Sequence, residues 1–221
     1  MNPNFAGSDP IDILAGARRI ADYVNSEGMS VGSYGVRGHC DHIGAVLADC
    51  TLQAGLNYAK VVRPRVDRIL ERFPNADTVY ALTGIVEAGE TADFLNWSHP
   101  LKASRFERMV YFVHDAGISD VNSLRVRLLE DQFCVCLQEL HGVGPKTVDY
   151  MACIVGIESI AVDRHIRTFA KRAGIEGTDY NYLKWTFCYA ADLLSVPRRD
   201  FDSWIWNRES SLNSKQLSLA F

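Results

Sequence analysis

Residues 137–147 read LQELHGVGPKT, and the fold turns on how this stretch is read. Gly142 and Gly144 lack side chains, which permits positive φ and the close approach of another backbone. Pro145 suits the first position of a helix, because its absent N–H would be unpaired there in any case. Upstream, Phe133, Cys136, Leu137 and Leu140 form an apolar stripe, and downstream Val148, Met151, Ala152 and Val155 repeat it. The pattern predicts two short helices over 131–155 around a glycine-rich turn. Free turn amides beside a helix N-terminus make an anion site, and a phosphodiester is the natural occupant of one without base-reading side chains. An ordinary αα-hairpin accounts for the same residues. Lys146 is the discordant note, since the partial positive charge of a helix N-terminus disfavours a cation. Both a bland and a catalytic explanation are open to it.

Outward from the hairpin, apolar residues recur at helical spacing. Ile13, Ala17, Ile20 and Val24 mark one helix, Phe106, Met109, Val110 and Val113 a second, and Leu183, Phe187, Ala190 and Leu194 a third. Further helices are expected near 42–55, 57–72 with Pro64 as a kink or restart, 77–88, 120–130 and 197–208. The class is mainly α. The stretch VGSYGVRGH (31–39) reads as a loop or short hairpin; it lacks the Lys-Ser/Thr ending of a phosphate loop and the glycine spacing of a dinucleotide site. No internal repeat or low-complexity linker interrupts the chain, and residues 209–221 read as a polar tail.

With 221 residues the chain can bury a substantial core, as one domain or two packed lobes. The net charge of −4 argues against a protein that coats nucleic acid along its whole surface, yet 60–72 carries five basic residues against two acidic, and 163–172 four against one. No charged leader precedes an apolar run at the N-terminus and nowhere do eighteen apolar residues follow one another, so a cytoplasmic protein that neither spans nor needs a membrane is expected. The six cysteines are too sparse for a disulfide framework and read as thiols.

LQELHGVGPKT, followed by AVDRHIRTFAKRAGI (161–175), resembles the signature of the helix-hairpin-helix DNA glycosylase superfamily, in particular its endonuclease III-like members. The shared pattern is Leu-x-x-Leu-x-Gly-Val-Gly-x-Lys-Thr, then Val-Asp-x-His-x-x-Arg with its aspartate seventeen residues after the lysine. Strong similarity covers about residues 131–175. It is weaker in HPLKASRFERMVYFVHDAG (99–117) and in HIGAVLADCTLQAGLNY (42–58). The resemblance implies a two-lobed helical glycosylase fold over 1–220 with its active site in the cleft between lobes. One lobe would comprise about 40–155 and hold the hairpin; the other would comprise 1–39 plus 156–208.

The resemblance also implies a reaction: base excision by a glycosylase with associated AP lyase activity. Breaking an N-glycosidic bond develops oxocarbenium character at C1′, which calls for a nearby negative charge and a nucleophile. Asp163 would supply the charge and accept a proton, although Asp is also among the best helix N-caps, and the two roles are compatible. Lys146 would attack C1′ as a free amine and form a Schiff base, a step that permits strand cleavage by β-elimination. A neutral amine needs burial or nearby positive charge, and the helix N-terminus is such a charge. Members that only hydrolyse the bond generally lack this lysine. A lysine that merely pairs with a phosphate or an acidic neighbour is the competing account.

Gly142, Val143, Gly144 and Thr147 in the hairpin, with Arg164, His165 and Arg167 after Asp163, are the candidate DNA contacts. His165 also reads as a hydrogen-bonded structural residue, and any one of the arginines as a solvated side chain. Gln53 is a candidate to fill the gap left by an extruded nucleotide, or a polar residue on a helix surface. Tyr58, Trp97, Phe187, Tyr189, Trp204 and Trp206 have faces on which a base could stack, but aromatics in helices are usually core, and none is assigned to a pocket. Endonuclease III-like proteins often end in four cysteines around an iron–sulfur cluster, whereas only Cys188 follows Asp163 here, so no cluster and no required cofactor is expected. HCDH (39–42) and CVC (134–136) lack zinc spacing. The resemblance allows a monovalent cation on the carbonyls of Leu140 and Val143. The expected partner is double-stranded DNA bearing a damaged or modified base or an abasic site, bound by a monomer, near the nucleoid if the cell is bacterial. The alternatives are a non-catalytic DNA-binding hairpin protein and a monofunctional or modified-base glycosylase.

Overall fold

A computed structural model describes residues 9–28 and 40–218, with side chains as far as residue 212. The glycine-rich stretch 31–39 lies outside the described residues. The described chain is helical, without strands, and forms two compact units: residues 38–157, and residues 1–37 together with 158–221. Its elements are α1 (Pro10–Ser26), α2 (Ile43–Leu52), a π-helical turn (Tyr58–Val62) leading into α3 (Arg63–Arg72), α4 (Val79–Glu87), α5 (Thr91–Leu95), α6 (Pro100–Asp115), α7 (Val121–Arg127), α8 (Asp131–Gln138), α9 (Pro145–Ile154), α10 (Arg164–Arg172), α11 (Tyr180–Leu193) and α12 (Arg198–Ser218). No described helix is long and apolar enough to cross a membrane.

The 38–157 unit is built around α2. All ten residues of this helix are buried, and α3, α4, α6 and α9 pack against it. A helix that is apolar all round has nowhere to lie but a core. Its start is closed by His42, whose Nδ1 accepts the Ala45 amide at 3.1 Å while the other ring nitrogen donates to Phe73 O at 2.9 Å. Those two bonds fix a single imidazole tautomer. Gly44 has no room for a side chain, since a Cβ would press on Ala76 O and on the Phe94 ring. Around α2 the rings of Phe73, Phe94 and Phe106 meet in sequence, the first pair edge-on and the second tilted, with centroids 5.0 and 5.3 Å apart.

Pro64 marks a restart. It occupies the first turn of α3, immediately after the π-helical turn in which Val62 N–H reaches back to Asn57 O. The short α5, which periodicity does not reveal, is held by arginines from α3: Arg68 donates to Asp93 O and to its carboxylate, and Arg65 to Asn96 O. Part of the positive charge in 60–72 therefore serves the fold.

In the other unit α1 packs along α11, and α10 along α12. Gly16 allows the first contact to be close, because a Cβ there would collide with the Tyr182 hydroxyl. The core is aromatic: Phe169, Phe187, Phe201 and Trp204 meet with centroid separations of 5.9 to 6.2 Å. α12 runs to Ser218, past Arg208, where the composition pointed to a polar tail. Glu209 explains part of the difference: its side chain is fully buried, 3.5 Å from Arg172 of α10, so this turn is held by tertiary packing that its polarity conceals.

Candidate functional site

The turn between α8 and α9 is closed by the Val143 amide donating to Leu140 O at 2.9 Å. Gly142 has φ +85°, a conformation natural to glycine, and a Cβ there would enter the guanidinium of Arg105 from α6. Gly144 is the N-cap of α9 and supplies no side chain to it, and Pro145 takes the first position. Among the described residues the amides of Gly142, Gly144 and Lys146 make no hydrogen bond. Val143 and Thr147 are buried, so both can offer a ligand little besides backbone. Leu140 O already accepts from Val143, which leaves it one lone pair for a cation.

Lys146 stands half-buried in the first turn of α9. Its amine donates to Gln53 Oε1 at 2.5 Å and lies 5.8 Å from the centre of the Tyr150 ring. No carboxylate of the described residues pairs with it. Gln53 closes the C-terminal end of α2, and its Nε2 is buried with no partner. Tyr150, one turn after Lys146, donates its hydroxyl to Asp49 Oδ1 at 3.0 Å, and Asp49 precedes Gln53 by one turn of α2. Two residues four apart on α9 thus meet two residues four apart on α2, lysine on glutamine and tyrosine on aspartate, because i and i+4 share one helix face. Asp49 is buried and also accepts from the Tyr58 hydroxyl at 3.1 Å, so two phenols solvate a carboxylate inside an apolar helix.

Beside this pairing, the amine of Lys102 donates to Thr51 O (2.7 Å), Leu52 O (3.2 Å) and Ala54 O (2.8 Å). A buried helix end has carbonyls without intrahelical donors, and one ammonium meets three of them. Burial first, and then the cations Arg105 and Lys146, pull Lys102 down from the ordinary lysine range to about 8. The three carbonyls act in the opposite sense, since a neutral amine has only two hydrogens to donate. Arg105 and Lys146 are both near enough to act on Lys102, a concentration of positive charge in a chain of net charge −4.

Asp163 belongs to the other unit. The run before it is anchored by Ala161 N–H donating to Asp202 (3.1 Å) and Val162 N–H to the Tyr180 hydroxyl (3.4 Å). Asp163 is the N-cap of α10, with Oδ1 accepting both the His165 amide (2.7 Å) and the Ile166 amide (3.0 Å). Its Oδ2 takes no hydrogen bond among the described residues. Capping therefore uses one oxygen of a half-buried carboxylate and leaves the second. His165 is buried, accepts from Arg164 at 3.2 Å and turns its ring edge-on to Trp206; Arg167 donates to Thr178 O at 2.6 Å. Phe187 and Trp204 are core residues, whereas Tyr58, Trp97, Tyr189 and Trp206 are half-buried.

Sequence reasoning reached Lys146, Gln53, Asp163 and the turn, and missed Asp49, Tyr150, Lys102 and Arg105. The available signal was spacing: Asp49 is the one charged residue in the apolar run IGAVLADCTL, four before Gln53, and Tyr150 stands four after Lys146. Among the described residues no group of three or more His, Cys, Asp and Glu is gathered as a metal site. Comparison with protein-family models, with curated proteins and with solved structures finds no match to this chain.

Proposed function

We propose that the chain is a DNA N-glycosylase with associated AP lyase activity, of the helix-hairpin-helix superfamily, acting on duplex DNA that carries a damaged or modified base or an abasic site. One observation carries this reading over the bland one. Lys146 is half-buried at the start of α9 beside free amides, and its amine is held by a neutral amide and an aromatic face, with no carboxylate among the described residues to pair with it. A lysine present only for an ion pair with an acidic neighbour would not be built this way. The unbonded amides of the turn, with the cations Lys102 and Arg105 near it, suit a phosphodiester.

In the proposed reaction the lone pair of the neutral Lys146 amine attacks C1′, the N-glycosidic bond breaks, and the base leaves with the bonding electrons and takes up a proton. Ring opening gives an imine between Lys146 and C1′. Loss of a C2′ proton then expels the 3′-phosphate by β-elimination, and water releases the amine. Asp163 opposes the positive charge that grows at the sugar, and its oxygen not used in capping is the one available for that task.

Borohydride trapping on an abasic duplex and on a panel of damaged duplexes tests the reading. A covalent adduct is expected with the wild type and none with Lys146→Ala. A wild-type protein that binds the duplex but neither releases a base nor nicks an abasic strand refutes it in favour of a non-catalytic DNA-binding role.

A further inference from the structure

We infer that Asp49 and Tyr150 are positioning residues for the Lys146 amine. Asp49 tethers the phenol of Tyr150 at 3.0 Å, and the ring so fixed lies 5.8 Å from Lys146 Nζ, on the α9 face where Gln53 takes the amine at 2.5 Å. Each contact is needed for the next. A lysine side chain has four rotatable carbons, and one hydrogen bond to a flexible amide does not hold its end against water. An aromatic ring beside the end of the side chain limits the positions that end can take, and the bond to Asp49 keeps the ring in place. The burial of Asp49 in α2 makes the tether a rigid one, since α2 has no solvent-facing side. A second phenol, from Tyr58, donates to the other oxygen of Asp49 at 3.1 Å and helps to hold the carboxylate in place. For catalysis the consequence rests on the glycosylase reading above; the placement of the amine does not.

The two are tested apart. Reductive methylation with ¹³C-formaldehyde labels the lysines, and Lys146→Arg assigns the signal of Lys146. The expected spectrum has that signal displaced upfield by the Tyr150 ring. The displacement is lost in Tyr150→Leu, reduced in Asp49→Asn, and retained in Tyr58→Phe, which removes a donor from the same carboxylate without touching the lysine. An undisplaced signal in the wild type, or one indifferent to Tyr150→Leu in a folded variant, overturns the inference whatever the protein does to DNA. In the trapping assay on an abasic duplex, Tyr150→Leu is expected to lower the single-turnover rate about tenfold while duplex affinity changes less than about twofold, as misplacement of a reacting group predicts. Tyr150→Phe, which keeps the ring, is expected to recover part of the rate. Equal trapping rates for wild type and Tyr150→Leu would also overturn it, whereas no trapping by the wild type would refute the glycosylase reading and leave the spectrum to decide the placement.

Discussion

Gly142→Ala perturbs the turn at a point where two costs are separable. The residue has φ +85°, which an L-side chain adopts at a cost of about 1–2 kcal/mol. The new methyl would also occupy the space of the Arg105 guanidinium, whose Nε is already buried without a partner. The arginine can move, since it is the end of a flexible side chain, but an off-rotamer side chain costs about 0.5–1.5 kcal/mol. The sum is about 1.5–3.5 kcal/mol, and at about 2–4 °C per kcal/mol for a chain of this size the melting temperature falls by about 3–14 °C. A double-mutant cycle with Arg105→Ala, read by urea denaturation, separates the terms: with the guanidinium gone, Gly142→Ala retains only the backbone cost, and the coupling is about 1 kcal/mol. An identical cost in both backgrounds would refute the packing of Arg105 on the turn, and a cost below about 0.5 kcal/mol in both would refute the left-handed turn itself.

At Asp163 the cap and the charge can be parted: Asp163→Ala should cost about 1 kcal/mol by removing the acceptor for two amides, while Asp163→Asn should melt close to the wild type. Asp163→Asn should nevertheless lose trapping on an abasic duplex, and unchanged trapping would confine this residue to capping. Lys102 is lowered to about 8, so between about pH 8 and 10.5 the unfolded chain binds more protons than the folded one, and this group makes stability rise with pH across that window. The difference in unfolding free energy between wild type and Lys102→Met, followed by urea denaturation from about pH 7 to 10.5, should therefore grow as pH rises; a flat difference would show that the three carbonyls offset the burial. Asp120 is held below the usual carboxylate range by the Ser123 amide and hydroxyl, at 2.8 and 3.0 Å, so its contribution is present at neutral pH and lost as pH falls through its folded-state value. Asp120→Asn should lessen the acid sensitivity of unfolding measured by circular dichroism.

The helices were legible where one face is apolar. Ile13, Ala17, Ile20 and Val24 all prove buried on α1, as do Phe106, Met109, Val110 and Val113 on α6, and Pro145 opens α9 as its ring geometry requires. α5 was hidden because five residues are too few to show a period; its place depends on Arg65 and Arg68, which a sequence displays only as charge. The end of α12 was hidden for the converse reason: a buried Glu209 beside Arg172 reads as polarity until the partner helix is known. Periodicity reports which side of a helix avoids water, and is silent where a charged group is buried against another.

The site divides along the same line. Lys146 and the turn are local, set by glycines and a proline within a few residues, and so could be found in one stretch of chain. What surrounds the amine is not local, for Gln53 and Asp49 arrive on α2, some ninety to a hundred positions earlier, and Lys102 on α6. The local electrostatics that made Lys146 discordant are also incomplete, because an amine at a helix N-terminus is one thing alone and another when an amide oxygen and a tethered aromatic ring share its charge. Had Gln53 been a glutamate, the same backbone would hold an ion pair. Gln53→Glu is therefore a sharper probe than removal of the amine. It keeps the shape of α2, adds one negative charge at 2.5 Å from Nζ, and should stabilise the fold or leave it unchanged while suppressing the trapping on which the glycosylase reading depends.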